Sequence, residues 1–191
     1  MDNFVGLPHT RAAMVQEDLV LYTIPIRAWR KTAGSMAVLP SAGDGTDLAT
    51  SGGTHGAGSP VLKSSIVDLS TVVEKARTQF ILPVEYISGG AVLFRIRVKM
   101  PNAADPGATT IDLECYKSDN EGGVGADICA TGLQTYNTSY ANYDFVITPT
   151  GLVAGDRLDL EITNSINDNN GGAGDQQTLI SLTQLLLSVK G

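Results

Sequence analysis

Cysteine, histidine and tryptophan are scarce in this chain: two, two and one among 191 residues. Two cysteines, Cys115 and Cys129, are too few for a disulfide-stapled scaffold. The plain expectation is two small buried hydrophobes, with their pairing left open. The histidines, His9 and His55, fall in arm and loop segments. A Ser/His/Asp system needs a histidine held rigidly beside a nucleophile, so neither is expected to be catalytic. A zinc site needs about four N or S ligands, and positions 9, 55, 115 and 129 show no paired spacing. No metal and no cofactor is expected. Positive charge is also short, with 13 Lys and Arg against 20 Asp and Glu and a net charge of −7. Binding along a phosphate backbone needs a basic surface, so nucleic acid is not an expected partner. No run approaches the roughly 18 apolar residues of a membrane helix, and residues 1–8 lack the basic and apolar regions of a secretory signal. The expected product is made in a cytoplasm and stays soluble, with no membrane partner.

Period-two alternation is plentiful. Val92, Phe94, Ile96, Val98 and Met100 alternate with Leu93, Arg95, Arg97 and Lys99, the signal of a half-buried strand. The same rhythm recurs at 20–26, 79–86, 111–116, 143–148 and 158–163. Residues 61–76 fit a helix period and a strand composition alike, and a strand near 61–68 followed by a turn is expected. Residues 178–189 are mostly apolar on both faces, with Leu179, Ile180, Leu182, Leu185, Leu186 and Leu187, so that strand is central or covered by a partner chain. Turn signals separate the strands. The fold class expected is all-β: an antiparallel β-sandwich, jelly-roll-like, with an extended N-terminal arm and a long Gly/Ser-rich loop. The division read from the sequence is an arm over 1–18, β-segments over 19–77 with a flexible loop at 41–60, and a sandwich core over 78–191.

Motifs that carry chemistry are thin. Asp112/Glu114 and Asp159/Glu161 are i, i+2 carboxylate pairs, each sharing one strand face. Glycoside hydrolysis needs two carboxylates flanking a sugar, but these read as the ordinary polar face of a sandwich. The Gly strings at 43–45 and 122–125 lack the Lys-Ser/Thr of a phosphate cradle. Residues 167–175 are dense in oxygen ligands of the kind Ca²⁺ takes, yet miss the EF-hand spacing and read as a wide turn. Arg95, Arg97 and Lys99 are expected across from Asp112 and Glu114. Two surface patches stand out. Arg27 and Arg30 flank Trp29, a cationic-aromatic cluster of the kind common at contacts. Tyr136 and Tyr140, with Tyr143, lie in a Gly-, Asn- and Thr-containing stretch and offer aromatic platforms for a sugar or a subunit contact.

Residues 143–162, YDFVITPTGLVAGDRLDLEI, are followed by an Asn/Gly loop and a terminal strand ending Leu187-Ser188-Val189-Lys190-Gly191. This pattern, over roughly residues 78–191, resembles the jelly-roll head decoration, or cement, proteins of tailed bacteriophages. The resemblance implies a non-enzymatic homotrimer on the outer surface of a virion, made in the host cytoplasm, clamping copies of a major capsid protein. On that reading Arg27, Trp29 and Arg30, with Tyr136 and Tyr140, are the expected partner-contact residues. The alternative expectation is a carbohydrate-binding β-sandwich module, or a tail or neck structural protein.

Overall fold

The computed structural model describes residues 17–33, 36–100, 109–118, 124–168 and 176–190. The strands are β1 (Glu17–Thr23), β2 (Ala49–Ser51), β3 (Val61–Lys63), β4 (Thr71–Ile81), β5 (Val92–Lys99), β6 (Thr110–Ser118), β7 (Val124–Asp127), β8 (Gln134–Thr135), β9 (Ala141–Ile147), β10 (Arg157–Asn167) and β11 (Leu179–Lys190). They form a six-stranded sheet, β2-β3-β11-β5-β9 with β1 also on β11, and a five-stranded sheet, β4-β10-β6-β7 with β8 also on β6. From β3 to β6, and again from β9 to β11, each strand lies in the other sheet from its predecessor. Every strand ladder is antiparallel. The result is the expected jelly-roll-like sandwich.

The alternation in the sequence decides which side chains meet. Val92, Phe94, Ile96 and Val98 of β5 face Leu158, Leu160 and Ile162 of β10, with Ile111, Leu113, Leu185, Leu187, Phe145 and Ile147 in the same buried cluster. Each such side chain contributes roughly 1.5–3 kcal/mol by leaving water. β11 is central, with β5 along one edge and β3 and β1 along the other.

Four expectations need correction. β4 begins at Thr71 and ends at Ile81, so the strand expected at 79–86 starts earlier and gives way to a turn. Its inward positions include Glu74, Ala76 and Thr78, which erase the hydrophobic period. Arg95 does not face Asp112 or Glu114. β5 and β6 belong to different sheets, and Arg95 forks onto Asp144 of β9, Nε–Oδ1 and Nη2–Oδ2 both 2.7 Å. Trp29 and Tyr136, expected at the surface, are core side chains. Trp29 reaches Thr183 and Tyr136 reaches Asn164, so each polar tip has a partner indoors. Residues 1–16 of the expected arm lie outside the described residues, while Glu17 and Asp18 already belong to β1.

The loop at 41–60 is tethered by buried polar groups. Glu74 accepts from the backbone N–H groups of Gly45 (2.9 Å) and Ser65 (2.7 Å) and from the Ser65 hydroxyl (2.5 Å). Gly43 is needed there, because a Cβ at that position would come within 2.3 Å of the Ser65 nitrogen. Leu48 and Ala49 are fully buried, and β2 pairs with β3. Asp44 closes the turn: its Oδ2 sits 2.8 Å from the Lys31 ammonium, and its Oδ1 accepts from the N–H groups of Asp47 and Thr46. These contacts, the lysine first, hold its carboxyl down at about 2. A depressed carboxyl contributes stability above the ordinary Asp value near ~3.9 and loses it as pH falls through the folded value. An NMR pH titration is expected to find the Asp44 carboxylate ionised until about pH 2, and Lys31→Met is expected to move its midpoint upward.

Cys115 and Cys129 are both free. Burial pushes the Cys129 thiol up to about 11 and Cys115 higher still, so neither is a thiolate nucleophile near neutral pH. The residues 169–175 of the Asx/Gly loop, like 101–108 and 119–123, lie outside the described residues.

Candidate functional site

The outer face of the five-stranded sheet gathers the polar members of three alternating strands. Register sets Lys75, Arg77 and Gln79 of β4 beside Thr163, Glu161 and Asp159 of β10. Those in turn lie beside Asp112, Glu114 and Tyr116 of β6. Period-two patterning sends the mostly apolar partners of β6 and β10 inward, with Glu74, Ala76 and Thr78 of β4 beside them, and so leaves the polar members outside.

Ion pairs fix the side chains of this face. The Arg77 guanidinium forks onto Asp159, with Nε 2.6 Å from Oδ1 and Nη2 on Oδ2. Asp159 is 6% exposed, so the fork is partly withdrawn from water and holds its geometry better than a surface pair. Lys75 Nζ lies 2.6 Å from Glu161 Oε1. These carboxylates, hydrogen-bonded directly, raise both basic groups above their ordinary values. Glu161 and Glu114 are register partners on adjacent strands. Like charges directly opposite each other are unfavourable, and Lys75 feels both of them. Tyr116 stands in the next row, opposite Asp159. Partial burial and the charges of Glu114 and Asp127 push its phenol upward.

Arg77, Tyr116, Asp159 and Glu161 line a shallow hollow of about 220 Å³. It offers a tyrosine ring, carboxylate acceptors and a guanidinium donor, all on paired strands. Such a set hydrogen-bonds hydroxyl groups and packs against C–H surface. The carboxylates Asp112, Glu114, Asp159 and Glu161 outnumber the basic groups Lys75, Arg77 and Arg157 on this face, so an anionic ligand is disfavoured there. The described residues contain no group of His, Cys, Asp and Glu arranged to hold a metal.

The residues expected at a contact are scattered. Arg27 is exposed, whereas Arg30 is half-buried and its Nη1 donates to the carbonyls of Arg27 (2.5 Å) and Trp29 (2.9 Å). Trp29 and Tyr136 are interior, for the reasons given above. Tyr140 stays at the surface of the other sheet, with Lys99 at 4.7 Å and Arg97 at 5.6 Å from its ring centre. The sequence pattern contained the face through the Asp112/Glu114 and Asp159/Glu161 pairs. Arg77 and Tyr116 were missed as site residues, because only the register joins β4, β10 and β6.

No family model matches the chain, and no curated protein matches it in sequence. Among solved structures, it is similar to the CBM22-1 xylan-binding domain of Paenibacillus barcinonensis Xyn10C, with 10% identity, 92% of this chain and 97% of that one covered, and a TM-score of 0.46. The xylan-binding module CBM15 aligns with 13% identity over 91% of this chain and 100% of that one, with a TM-score of 0.45. The enzymatically active domain of tailspike protein 4 of bacteriophage CBA120 aligns with 13% identity over 85% of this chain and 20% of that one, with a TM-score of 0.42. The expectation of a capsid cement protein is corrected by this outcome: the similar structures are overwhelmingly carbohydrate-binding modules, and nothing identifies a head decoration protein. The short motif that carried the resemblance, an aromatic strand, a Gly-Asp turn and an alternating strand, is the passage from β9 in one sheet to β10 in the other. It therefore reports architecture rather than role.

Proposed function

We propose that this chain is a non-catalytic carbohydrate-binding β-sandwich that holds a neutral, hydroxyl-rich saccharide on the outer face of its five-stranded sheet. The observation that carries the reading is the hollow in which Arg77, Asp159 and Glu161 surround Tyr116. Four properties support it. The face is polar across three rigid strands. The Arg77–Asp159 fork preorganises a donor and an acceptor. The opposed pair Glu161 and Glu114 gains from a ligand that donates hydroxyl protons to it. Tyr116 supplies a ring for the C–H face of a sugar. The sugar specificities named for the similar modules are compatible with this reading, and their likeness to this chain is one of fold.

A panel of neutral and uronate-bearing oligosaccharides, followed by calorimetry on the strongest, tests the reading. Binding of a neutral oligosaccharide is expected. Tyr116→Ala is expected to weaken it by ~1–2 kcal/mol, roughly 5- to 30-fold, with the melting temperature nearly unchanged. The proposal fails if no neutral saccharide binds at about millimolar concentration, or if the Tyr116→Ala protein binds as tightly as the parent.

A further inference from the structure

β1 is paired on one side only. It meets β11 antiparallel, from Glu17↔Lys190 to Thr23↔Gln184, and no other strand among the described residues pairs with it. The Ile24 N–H donates to the Thr183 carbonyl at 2.9 Å. In an antiparallel ladder the bonded positions alternate. The backbone groups of Tyr22 and Val20 therefore point to β11, and those of Leu19, Leu21 and Thr23 point away from it. Among the described residues those outward groups form an open edge. Leu19, Leu21 and Val20 on it are 56%, 46% and 37% exposed. Residues 18–24 contain no Lys, Arg or Pro, residues that commonly keep natural edges from pairing.

The exposed leucines continue an apolar row. Leu21, Leu186, Leu93 and Val146 are successive register partners across β1, β11, β5 and β9. Leu21 and Val146, at its two ends, are both exposed on the outer face of the six-stranded sheet.

We infer that this edge is a homodimer interface, in which β1 of a second copy pairs antiparallel with β1 about a two-fold axis at Val20. The sequence of the strand selects a second copy and this register. With the axis at Val20, Leu19 lies opposite Leu21 of the partner subunit and the three exposed apolar positions cover one another. The two acidic positions, 17 and 18, then fall opposite Thr23 and Tyr22 of the partner subunit, so no like charges meet. An axis at position 18 would set that acidic position against itself and leave the leucines uncovered. The outward backbone groups of Leu19 and Leu21 find partners in the same register, and the apolar row runs on into the second copy. An isologous contact of this kind closes on itself.

Sedimentation equilibrium on the full chain from about 1 to 500 µM tests the inference. The expected species at the upper end has twice the chain mass of 20.0 kDa. Leu21→Lys, at an exposed outward position, is expected to give monomer with unchanged circular dichroism and melting temperature. Val20 occupies a non-hydrogen-bonded pair on the axis, where opposing Cα atoms lie ~4.5 Å apart, within disulfide reach. Val20→Cys in a Cys129→Ser background is therefore expected to cross-link to a covalent dimer on mild oxidation. Monomer at all concentrations overturns the inference. So does a trimer, and so does an oligomer that survives Leu21→Lys without cross-linking at position 20. A monomer that Leu21→Lys destabilises would mean that the edge is covered from within the chain, and this also overturns it.

Discussion

Trp29→Ala is expected to destabilise the protein by about 3–5 kcal/mol, the range for deleting a buried large aromatic. Trp29 is fully buried beside the 3-10 turn Ile26–Ala28. Its ring packs edge-on against Phe94 of β5, centroids 6.1 Å apart, and its Nε1 donates to the Thr183 hydroxyl of β11 at 3.1 Å. That hydroxyl donates onward to the Ile24 carbonyl at 2.9 Å. The substitution therefore opens a cavity against β5 and removes an indole that links the 3-10 turn to β11. Against a typical total of ~5–15 kcal/mol, the loss is large. For a domain of this size it corresponds to roughly 2–4 °C of melting temperature per kcal/mol. Urea denaturation with unchanged m-value checks it. A surface contact residue would leave the midpoint where it was. Trp29→Phe, which keeps most of the volume and loses the hydrogen bond, is expected to fall between the two.

Tyr136 is the second site of large effect. Its ring is buried and meets Tyr143 edge-on at 6.4 Å. Its hydroxyl donates to Asn164 Oδ1 at 2.7 Å and also contacts the Thr178 hydroxyl, which lies 3.1 Å from the same Asn164 oxygen. Burial raises its phenol above the ordinary tyrosine range. Tyr136→Ala is expected to cost about 3–5 kcal/mol. Tyr136→Phe removes only the hydroxyl, and about 1–2 kcal/mol is expected, since Asn164 keeps Thr178. Thermal denaturation of the two variants separates packing from hydrogen bonding. A Tyr136→Phe protein as stable as the parent would show that the network contributes nothing.

Much of this architecture is written in the sequence. β5, β6, β9 and β10 alternate cleanly because each has one face in a common core and one in water. β11 reads as apolar on both faces because it is central and because Leu182 and Leu186 lie on its outer side. β4 does not read as a strand, since its inward positions hold a carboxylate that fastens a loop, an alanine and a threonine. Trp29 and Tyr136 mislead for a different reason. An amphipathic ring is at home in the interior only if its polar tip has a partner, and those partners, Thr183 and Asn164, are remote in the chain. The candidate saccharide face was half legible. The carboxylates announce a shared strand face, but that Arg77 reaches Asp159, and that Tyr116 lies beside it, follows from strand order alone.

The central place of β11 has a kinetic consequence. Val20 pairs with Leu187, and Ile180 with both Leu62 and Val98, so the six-stranded sheet assembles only when segments far apart along the polypeptide find one another. Closing loops of that length costs chain entropy before any contact compensates it. Proteins dominated by such non-local pairing fold on the slow side, in milliseconds to seconds. Until β11 docks, Phe94 and Leu62 lack their β11 partners, Leu185 and Ile180, and the half-assembled molecule is the form most prone to aggregate.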